Sequence, residues 1–327
     1  MTETTNLVGA LQQREIKRAE RRHFFRKSSG FALGMAGGVI LGACGGEGDN
    51  AIAQESKPTD AEILNFALNL EYLEAQFYQY AAFGVGLSAN MLGGTGSQGA
   101  VVGGSAVAFK DPVVAQYARE IAKDELDHVR FLRAALGSSA VAQPAIDISG
   151  TDPNGAFSVA ARAAGLVGPG QVFNPYASDE AFLLGAFLFE DVGVTAYKGA
   201  SPLIENKTYL EAAAGILAAE AYHAGLVRTV LYSKGLATPS LRTSADAIAK
   251  ARDSLDNSRS QDQGITGTSD ASNIVPLDDN GIAYSRSPDD VLNIVYLNPG
   301  AVTRGGFFPQ GVNGALNMSS ALSLIHI

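Results

Sequence analysis

The stretch AAEAYHAGLVR, residues 218–228, places Glu220 and His223 three positions apart within a segment of mainly apolar, helix-forming residues. The segment KDELDHVRFLR repeats this spacing with Glu125 and His128, and in both segments an arginine follows the histidine by five residues. Residues at i and i+3 lie on the same face of a helix. Each segment therefore predicts a helix that carries a glutamate and a histidine side by side.

Start and stop signals divide the central part of the chain into four long predicted helices. Thr59 and Thr208 each stand three residues before a glutamate, which is the capping-box spacing. Asp111 followed by proline is another start signal, and glycines follow the first, second and fourth helices. A long connection rich in Pro, Gly and Asn separates the second helix from the third, which favours a four-helix bundle with a crossover. The predicted helices cover residues 59–83, 111–136, 178–199 and 208–234.

The third predicted helix carries Glu190 directly after the apolar run AFLLGAFLF. An ionised carboxylate in such surroundings costs several kcal/mol unless it is paired or binds a cation. Glu190 therefore predicts a positively charged partner.

The first predicted helix offers Glu71 and Glu74 on one face. A tyrosine follows Glu71 by seven residues, at Tyr78, and another follows Glu190 by seven residues, at Tyr197. This shared spacing selects Glu71 as the counterpart of Glu190. Glu74 is then an additional carboxylate and a candidate acid or base.

Together these residues predict a dinuclear metal centre on the axis of an all-α bundle that is built from two similar helix pairs. Two divalent cations would neutralise four ionised carboxylates. Mixed Glu and His ligands suit iron or manganese better than structural zinc or calcium. The predicted ligands are Glu71, Glu125, His128, Glu190, Glu220 and His223.

Five other residues are candidates for supporting this centre, each with a simpler alternative. Tyr78 and Tyr197 are either core aromatics or hydrogen-bond partners of the ligands. Asp124 either orients a histidine ligand from across the bundle or lies on a solvated face. Arg133 and Arg228 either extend to solvent or neutralise carboxylates at the bundle end.

Residues 1–53 are predicted to be an export signal and linker. Paired arginines precede FF and a short, Gly-rich apolar stretch, which resembles a twin-arginine signal, and the glycines disfavour an amphipathic helix. LGAC resembles a lipobox that would lipidate Cys44 and anchor the protein to a membrane surface, whereas AIA at 51–53 resembles a site for release. We favour the lipobox, because it gives the only cysteine a function. The protein is predicted to be exported and to lie in the periplasm or to be anchored to a membrane of the cell envelope.

Composition excludes some partners. The net charge is −9, and the chain beyond residue 43 is more acidic still and has no basic patch, so nucleic acid is not an expected partner. A single cysteine excludes an intrachain disulfide. Residues 236–327 are predicted to be an extension with a short helix at SADAIAKARDSLD, a helix or strand at DDVLNIVYL, and irregular segments elsewhere.

The segments NFALNLEYLEAQFYQYAAFG, DELDH, LFEDVG and EAYH, behind a twin-arginine-like leader, resemble exported bacterial ferritin-like domain proteins and the related desiccation-related proteins of plants. The resemblance covers residues 59–235. It implies a ferritin-like four-helix bundle with the six ligands named above and two iron or manganese ions. The long connection and the C-terminal extension depart from cage-forming ferritins, so a hollow storage shell is not expected.

Two functions remain open at this stage. The first is a redox enzyme that acts on dioxygen or hydrogen peroxide, as a ferroxidase or peroxidase with iron or as a catalase with manganese. The second is a non-enzymatic envelope protein for stress or desiccation protection, in which the metal ions hold the bundle together. A homo-oligomer is compatible with both.

Overall fold

The computed structural model describes residues 57–256 and 261–322. This part of the chain is mostly helical, with seven α-helices and one small pair of parallel strands, which confirms the predicted all-α class. None of the described helices is both long and apolar enough to cross a membrane. The predicted leader, Cys44 and most of the terminal ALSLIHI lie outside the described residues. The helices are α1 (Asp60–Phe83), α2 (Pro112–Leu136), α3 (Ala156–Ala163), α4 (Asp179–Ala200), α5 (Lys207–Ala237), α6 (Ser240–Asp253) and α7 (Pro288–Val295).

Three of the four long helices begin where the sequence predicts. Thr59 and Glu62 form the expected capping box of α1, Asp111 caps α2, and Ser178 caps α4. Each cap satisfies backbone N–H groups that have no partner inside the helix.

The predicted ends of the fourth helix are wrong. Asn206 is the N-cap of α5, because its side chain accepts from the backbone N–H groups of Thr208 and Tyr209, so Thr208 lies inside the helix. The helix also continues through Gly235 to Ala237. A Cβ at Gly235 would lie 2.3 Å from Cγ of Arg242. The glycine therefore permits the close approach of α6 and does not stop α5.

The four long helices form two hairpins, in which α1 packs mainly against α2 and α4 mainly against α5. Apolar side chains from both hairpins form the common core, including Leu68, Phe77, Val129 and Phe187. The two hairpins face each other across the bundle axis, and the glutamates and histidines of the predicted centre lie there.

The Gly-rich loop after α1 and the crossover after α2 are joined by backbone hydrogen bonds. Strand β1 (Val101–Gly103) in the Gly-rich loop pairs in parallel with β2 (Ile146–Ile148) in the crossover. A Cβ at Gly99 would lie 2.1 Å from the backbone nitrogen of Ala145, so glycine is required where the two backbones meet. The crossover also contains α3, which the sequence analysis did not predict.

The C-terminal extension is part of the same core. Phe307 packs edge-to-face against Phe189 of α4, with 4.9 Å between ring centroids, and against Phe157 of α3, with 5.1 Å. DDVLNIVYL is the helix α7, with Val291 and Leu292 fully buried. GGFFPQGVNG is irregular, as predicted, and it is nevertheless packed into the core through Phe307.

A buried arginine–aspartate network, defined as Arg228, Arg252, Arg286, Asp191, Asp256 and Asp262, joins the extension to the bundle. Asp191 Oδ2 accepts from Arg228 Nη1 and from Arg252 Nη2, both at 2.7 Å. Arg252 Nε lies 2.8 Å from Asp262 Oδ1. Arg286 contacts Asp262 and lies 2.6 Å from Asp256.

Arg228 is 1% exposed, so of its two predicted alternatives the extension to solvent is wrong, whereas the side chain does neutralise a carboxylate, that of Asp191. Its second terminal nitrogen donates to the carbonyl oxygens of Gln263, Gly264 and Asn273. The burial follows from the extension, which covers this side of α5.

Replacing Arg286 by alanine should destabilise the protein by about 3–5 kcal/mol, because Asp256 and Asp262 would lose a buried cation. Chemical denaturation measures the change. Arg119→Ala is the control, because Arg119 is exposed on α2, and it should change the unfolding free energy by less than about 0.5 kcal/mol. Equal effects of the two substitutions would show that the network does not stabilise the fold.

Candidate metal centre

The structure brings all six predicted ligands together on the bundle axis, where we call them the carboxylate cluster. Their ligand atoms form two groups, and within each group the atoms lie within 4.8 Å of one another. Glu125 belongs to both groups and can bridge them. The first group is Glu71, Glu125, His128 and Glu220, and the second is Glu125, Glu190 and His223.

One histidine nitrogen is central to each group. In the first, His128 Nδ1 lies 3.2 Å from Glu71 Oε2, 3.5 Å from Glu125 Oε2 and 3.7 Å from Glu220 Oε1. In the second, His223 Nδ1 lies 3.1 Å from Glu125 Oε1 and 3.6 Å from Glu190 Oε2. The two imidazole centroids are 6.3 Å apart. The groups are thus adjacent, and each contains nitrogen and oxygen donors.

Several donor atoms of the cluster are buried without a hydrogen bond. These atoms are both carboxylate oxygens of Glu125 and of Glu220, Oε2 of Glu190 and Nδ1 of His223. A buried polar atom without a partner is costly, and more so when it carries charge. Cations between these atoms would satisfy all of them, so the donor set fits two metal ions.

The electrostatics of the cluster show competing effects of burial and of opposite charge. Burial raises the pKa of Glu71 to about 7 and that of Glu190 to about 8, although His128 and His223 respectively oppose the shift. Burial, reinforced by Glu125, raises the pKa of Glu220 well above its usual value.

The pKa values of Glu125 and of the two histidines shift in the directions expected for ion pairs. Burial would raise the pKa of Glu125, but His128 and His223 together hold it well below its usual range. Burial would lower the pKa of both histidines, but the surrounding carboxylates raise it to about 11 for His128 and about 9 for His223. Protons therefore occupy the cluster at neutral pH in the absence of metal.

Two tyrosines connect the cluster across the bundle. The Tyr78 hydroxyl of α1 donates to Glu190 of α4, and the Tyr197 hydroxyl of α4 donates to Glu71 of α1. These reciprocal contacts agree with the predicted two similar helix pairs. Each tyrosine is buried, so it is both a core aromatic and a partner of a candidate ligand.

Asp124 is the third neighbour that the sequence analysis named. Its Oδ2 lies 3.2 Å from His223 Nε2, while its side chain remains 36% exposed. Both alternatives for this residue therefore hold, since the carboxylate is solvated and also faces the histidine. Such a contact fixes the histidine tautomer and leaves Nδ1 free to act as a ligand. Arg133, in contrast, donates to Tyr72 away from the cluster.

Glu74 lies outside both groups of ligand atoms, although it is only 6% exposed. It lines a small cavity together with Leu73, Phe189 and Val192. Burial raises its pKa well above the usual value, and the nearby charges of Glu125, Glu190 and Glu71 add to the shift. Glu74 therefore holds a proton more readily than an exposed glutamate does and is a candidate proton donor.

The sequence analysis missed Gly193, which makes room for one candidate ligand. A Cβ at this position would lie 2.3 Å from Oε2 of Glu220. The signal was a glycine inside an apolar helix, one turn after Glu190, where glycine otherwise weakens a helix. Its absence of a side chain lets Glu220 reach the cluster.

Gly193→Ala should displace the Glu220 carboxylate and weaken metal binding by about tenfold, which equals about 1.4 kcal/mol. Isothermal titration with Mn(II) measures the affinity. Gly215→Ala is the control, because a Cβ at Gly215 of α5 meets nothing within 4 Å. Unchanged affinity in Gly193→Ala would exclude Glu220 from the ligands.

Metal affinity should rise with pH, because bound protons must leave the ligands before metal binds. Between pH 6.5 and 9 this rise should become less steep, because Glu71, Glu190 and His223 lose their protons as the pH passes their pKa values of about 7, 8 and 9 and fewer protons remain to be released. Titration with Mn(II) in two buffers of different ionisation enthalpy counts the protons released at each pH. Affinity and proton release that do not change over this range would contradict the geometry of the cluster.

Two helical hairpins with glutamates and histidines converging on their common axis are the arrangement of ferritin-like proteins. The chain belongs to the ferritin-like domain family, whose sequence profile matches residues 59–233. This result confirms the predicted bundle and the ferritin-like part of the resemblance.

Two relatives extend the match beyond the bundle. The chain is 27% identical over 273 residues to "Ferritin-like catalase Nec2" of Nesocodon mauritianus, an alignment that covers 79% of this chain and 84% of the relative. It is 28% identical over 275 residues to "Desiccation-related protein PCC13-62" of Craterostigma plantagineum, with 78% and 83% covered. No solved structure gives a significant match.

Proposed function

We propose that this protein binds two manganese or iron ions in the carboxylate cluster and removes hydrogen peroxide. The observation that carries the proposal is the pair of ligand groups that share Glu125 and leave buried carboxylate oxygens without partners. The groups offer carboxylates and one imidazole each, a donor set typical of iron and manganese. Adjacent metal ions can act jointly on one small substrate.

The reaction that fits best is peroxide disproportionation, in which two peroxide molecules become two waters and one dioxygen. One peroxide is oxidised by two electrons and the other is reduced by two electrons, and bound iron or manganese ions would supply the redox capacity for both halves. The printed name of one relative, a ferritin-like catalase, supports this reaction over oxygen-dependent iron oxidation.

The side chains of this protein have distinct tasks in that reaction. Glu71, Glu190 and the two histidines would each hold one ion, Glu125 would be shared by both groups, and Glu220 would complete the first group. Tyr78 and Tyr197 hold Glu190 and Glu71 by hydrogen bonds. Asp124 orients His223. Burial raises the pKa of Glu74 beside the cluster, so Glu74 can hold a proton and donate it to an oxygen atom when the peroxide bond breaks.

A second candidate is a non-enzymatic protective protein in which the metal ions stabilise the helical bundle. The printed name of the other relative, a desiccation-related protein, favours it. In that case metal removal would lower the thermal stability strongly, because the free energy of metal binding adds to that of folding. Peroxide turnover would be absent.

Export of the protein is part of the proposal. A twin-arginine signal would carry the folded, metal-loaded bundle across the membrane, and lipidation of Cys44 would then anchor it, whereas cleavage near residues 51–53 would release it.

Replacing Arg21 and Arg22 by lysine should retain the protein inside the cell. Export of the double variant at the normal level would exclude this signal type, and the mass of the mature chain distinguishes the two forms.

Protein loaded with manganese or iron should evolve dioxygen from hydrogen peroxide, with two metal ions per chain. Glu125→Gln should lose metal from both groups and lower the rate by at least about a hundredfold, because outer partners alone already contribute 10- to 100-fold. Elemental analysis and an oxygen electrode measure the two quantities. The control Glu211→Gln changes an exposed glutamate of α5 and should leave both unchanged. Bound metal without dioxygen evolution would exclude the catalase and favour the protective protein.

A further inference from the structure

A surface groove runs between α2 and α5 and reaches one residue of the carboxylate cluster. Its volume is about 1030 Å³. Residues of α2, of α5 and of the extension form its walls. The lining that matters here consists of Tyr117, Glu120, Asp124, Tyr222, His223 and Val275.

The groove is much larger than hydrogen peroxide requires. A water molecule occupies about 30 Å³ in the liquid, and peroxide is about the size of two waters. Pockets for organic small molecules measure about 300–1,000 Å³. A route for peroxide alone would not need this volume, so the groove has the dimensions of a site for a second, larger molecule.

The lining restricts the chemistry of that molecule. Two tyrosines and several aliphatic side chains form the walls, and Tyr222 is 79% exposed and Val275 62% exposed. Large apolar side chains exposed together are typical of binding surfaces. Glu120 and Asp124 are the charged side chains of the lining, which contains no lysine or arginine. The groove therefore disfavours anions, and its tyrosines and carboxylates suit an aromatic molecule that can donate a hydrogen bond.

His223 connects the groove to the cluster. The residue lines the groove, where its Nε2 lies 3.2 Å from Asp124, and its Nδ1 lies 3.1 Å from Glu125. One imidazole thus separates a molecule in the groove from the second group of candidate ligands. A molecule in the groove would therefore lie beside a candidate ligand without entering the buried cluster.

We propose that this groove binds a neutral phenol and that the protein uses it as a reductant of peroxide. This inference rests on the proposed function, which supplies the peroxide chemistry. Each of two phenols loses one electron and one proton as its O–H bond breaks, and leaves as a phenoxyl radical. The two electrons and two protons reduce one hydrogen peroxide, whose O–O bond breaks, to two waters.

Binding is tested first, on metal-free and on metal-loaded protein, with para-fluorophenol as the probe in fluorine NMR. Saturable binding is expected in both forms. Tyr222→Ser should weaken it by about threefold or more, because one aromatic contact contributes about 0.5–1.5 kcal/mol. The control Leu236→Ser removes another exposed apolar side chain of α5, 66% exposed and outside the groove, and should not change binding.

Charge and turnover give two further readouts. Glu120→Lys should allow para-fluorobenzoate, an anion, to bind where it does not bind the unchanged protein. In metal-loaded protein with peroxide, the rate of phenol oxidation relative to dioxygen evolution should fall in Tyr222→Ser and not in Leu236→Ser.

Binding that is absent, or that is equal in Tyr222→Ser and in the unchanged protein, would overturn the inference. A dimer that dissociates in Tyr222→Ser during sedimentation, without phenol binding, would overturn it in favour of a contact between two copies. The binding assay on metal-free protein does not depend on peroxide chemistry, so lack of dioxygen evolution in the unchanged protein contradicts the proposed function separately.

Discussion

Four glutamate carboxylates share one buried space on the axis of this bundle, and they cannot all be ionised there without compensating positive charge. Two imidazoles lie among them but cannot neutralise four negative charges. Protons provide the rest of the compensation in the absence of metal, as the raised pKa values of Glu71, Glu190 and Glu220 show. Replacement of those protons by two divalent cations would satisfy the charge and the unpartnered oxygens at once.

A neighbouring buried carboxylate on α4 is neutralised by arginine side chains of the protein itself. Asp191 follows Glu190 directly, yet it lies in a network of three arginines and three aspartates whose charges balance. Removal of one partner from a buried pair of this kind strongly lowers the stability of the fold. The carboxylate cluster has no arginine or lysine among its contacts in the described part of the chain. One set of buried carboxylates is thus neutralised by the chain itself, and the adjacent set is arranged for an external cation.

Short-range patterns made the bundle and the cluster predictable. The i, i+3 spacing of Glu125 and His128, and of Glu220 and His223, placed each pair on one helix face. The apolar run before Glu190 identified a carboxylate that needs a partner. The matching tyrosines selected Glu71 over Glu74, and the structure places Glu74 outside both ligand groups.

Features that depend on distant contacts were not predictable in the same way. Arg228 has no local signal of burial, because its partners lie on α4 and in the extension. Gly193 has meaning only through the position of Glu220 on a different helix. The fourth long helix begins after Asn206 and not at the capping box of Thr208. Asparagine and threonine are both good capping residues, so only the backbone geometry decides between the two positions.

Crystals of the manganese- or iron-loaded protein, measured at the absorption edge of the metal, test the central claim most directly. We expect two anomalous peaks, one among Glu71, Glu125, His128 and Glu220 and the other among Glu125, Glu190 and His223. The peaks should lie roughly 3.5–4 Å apart, as in other two-metal sites. A single peak, or none in the cluster of a folded protein, would contradict the claim that this bundle is built around two cations.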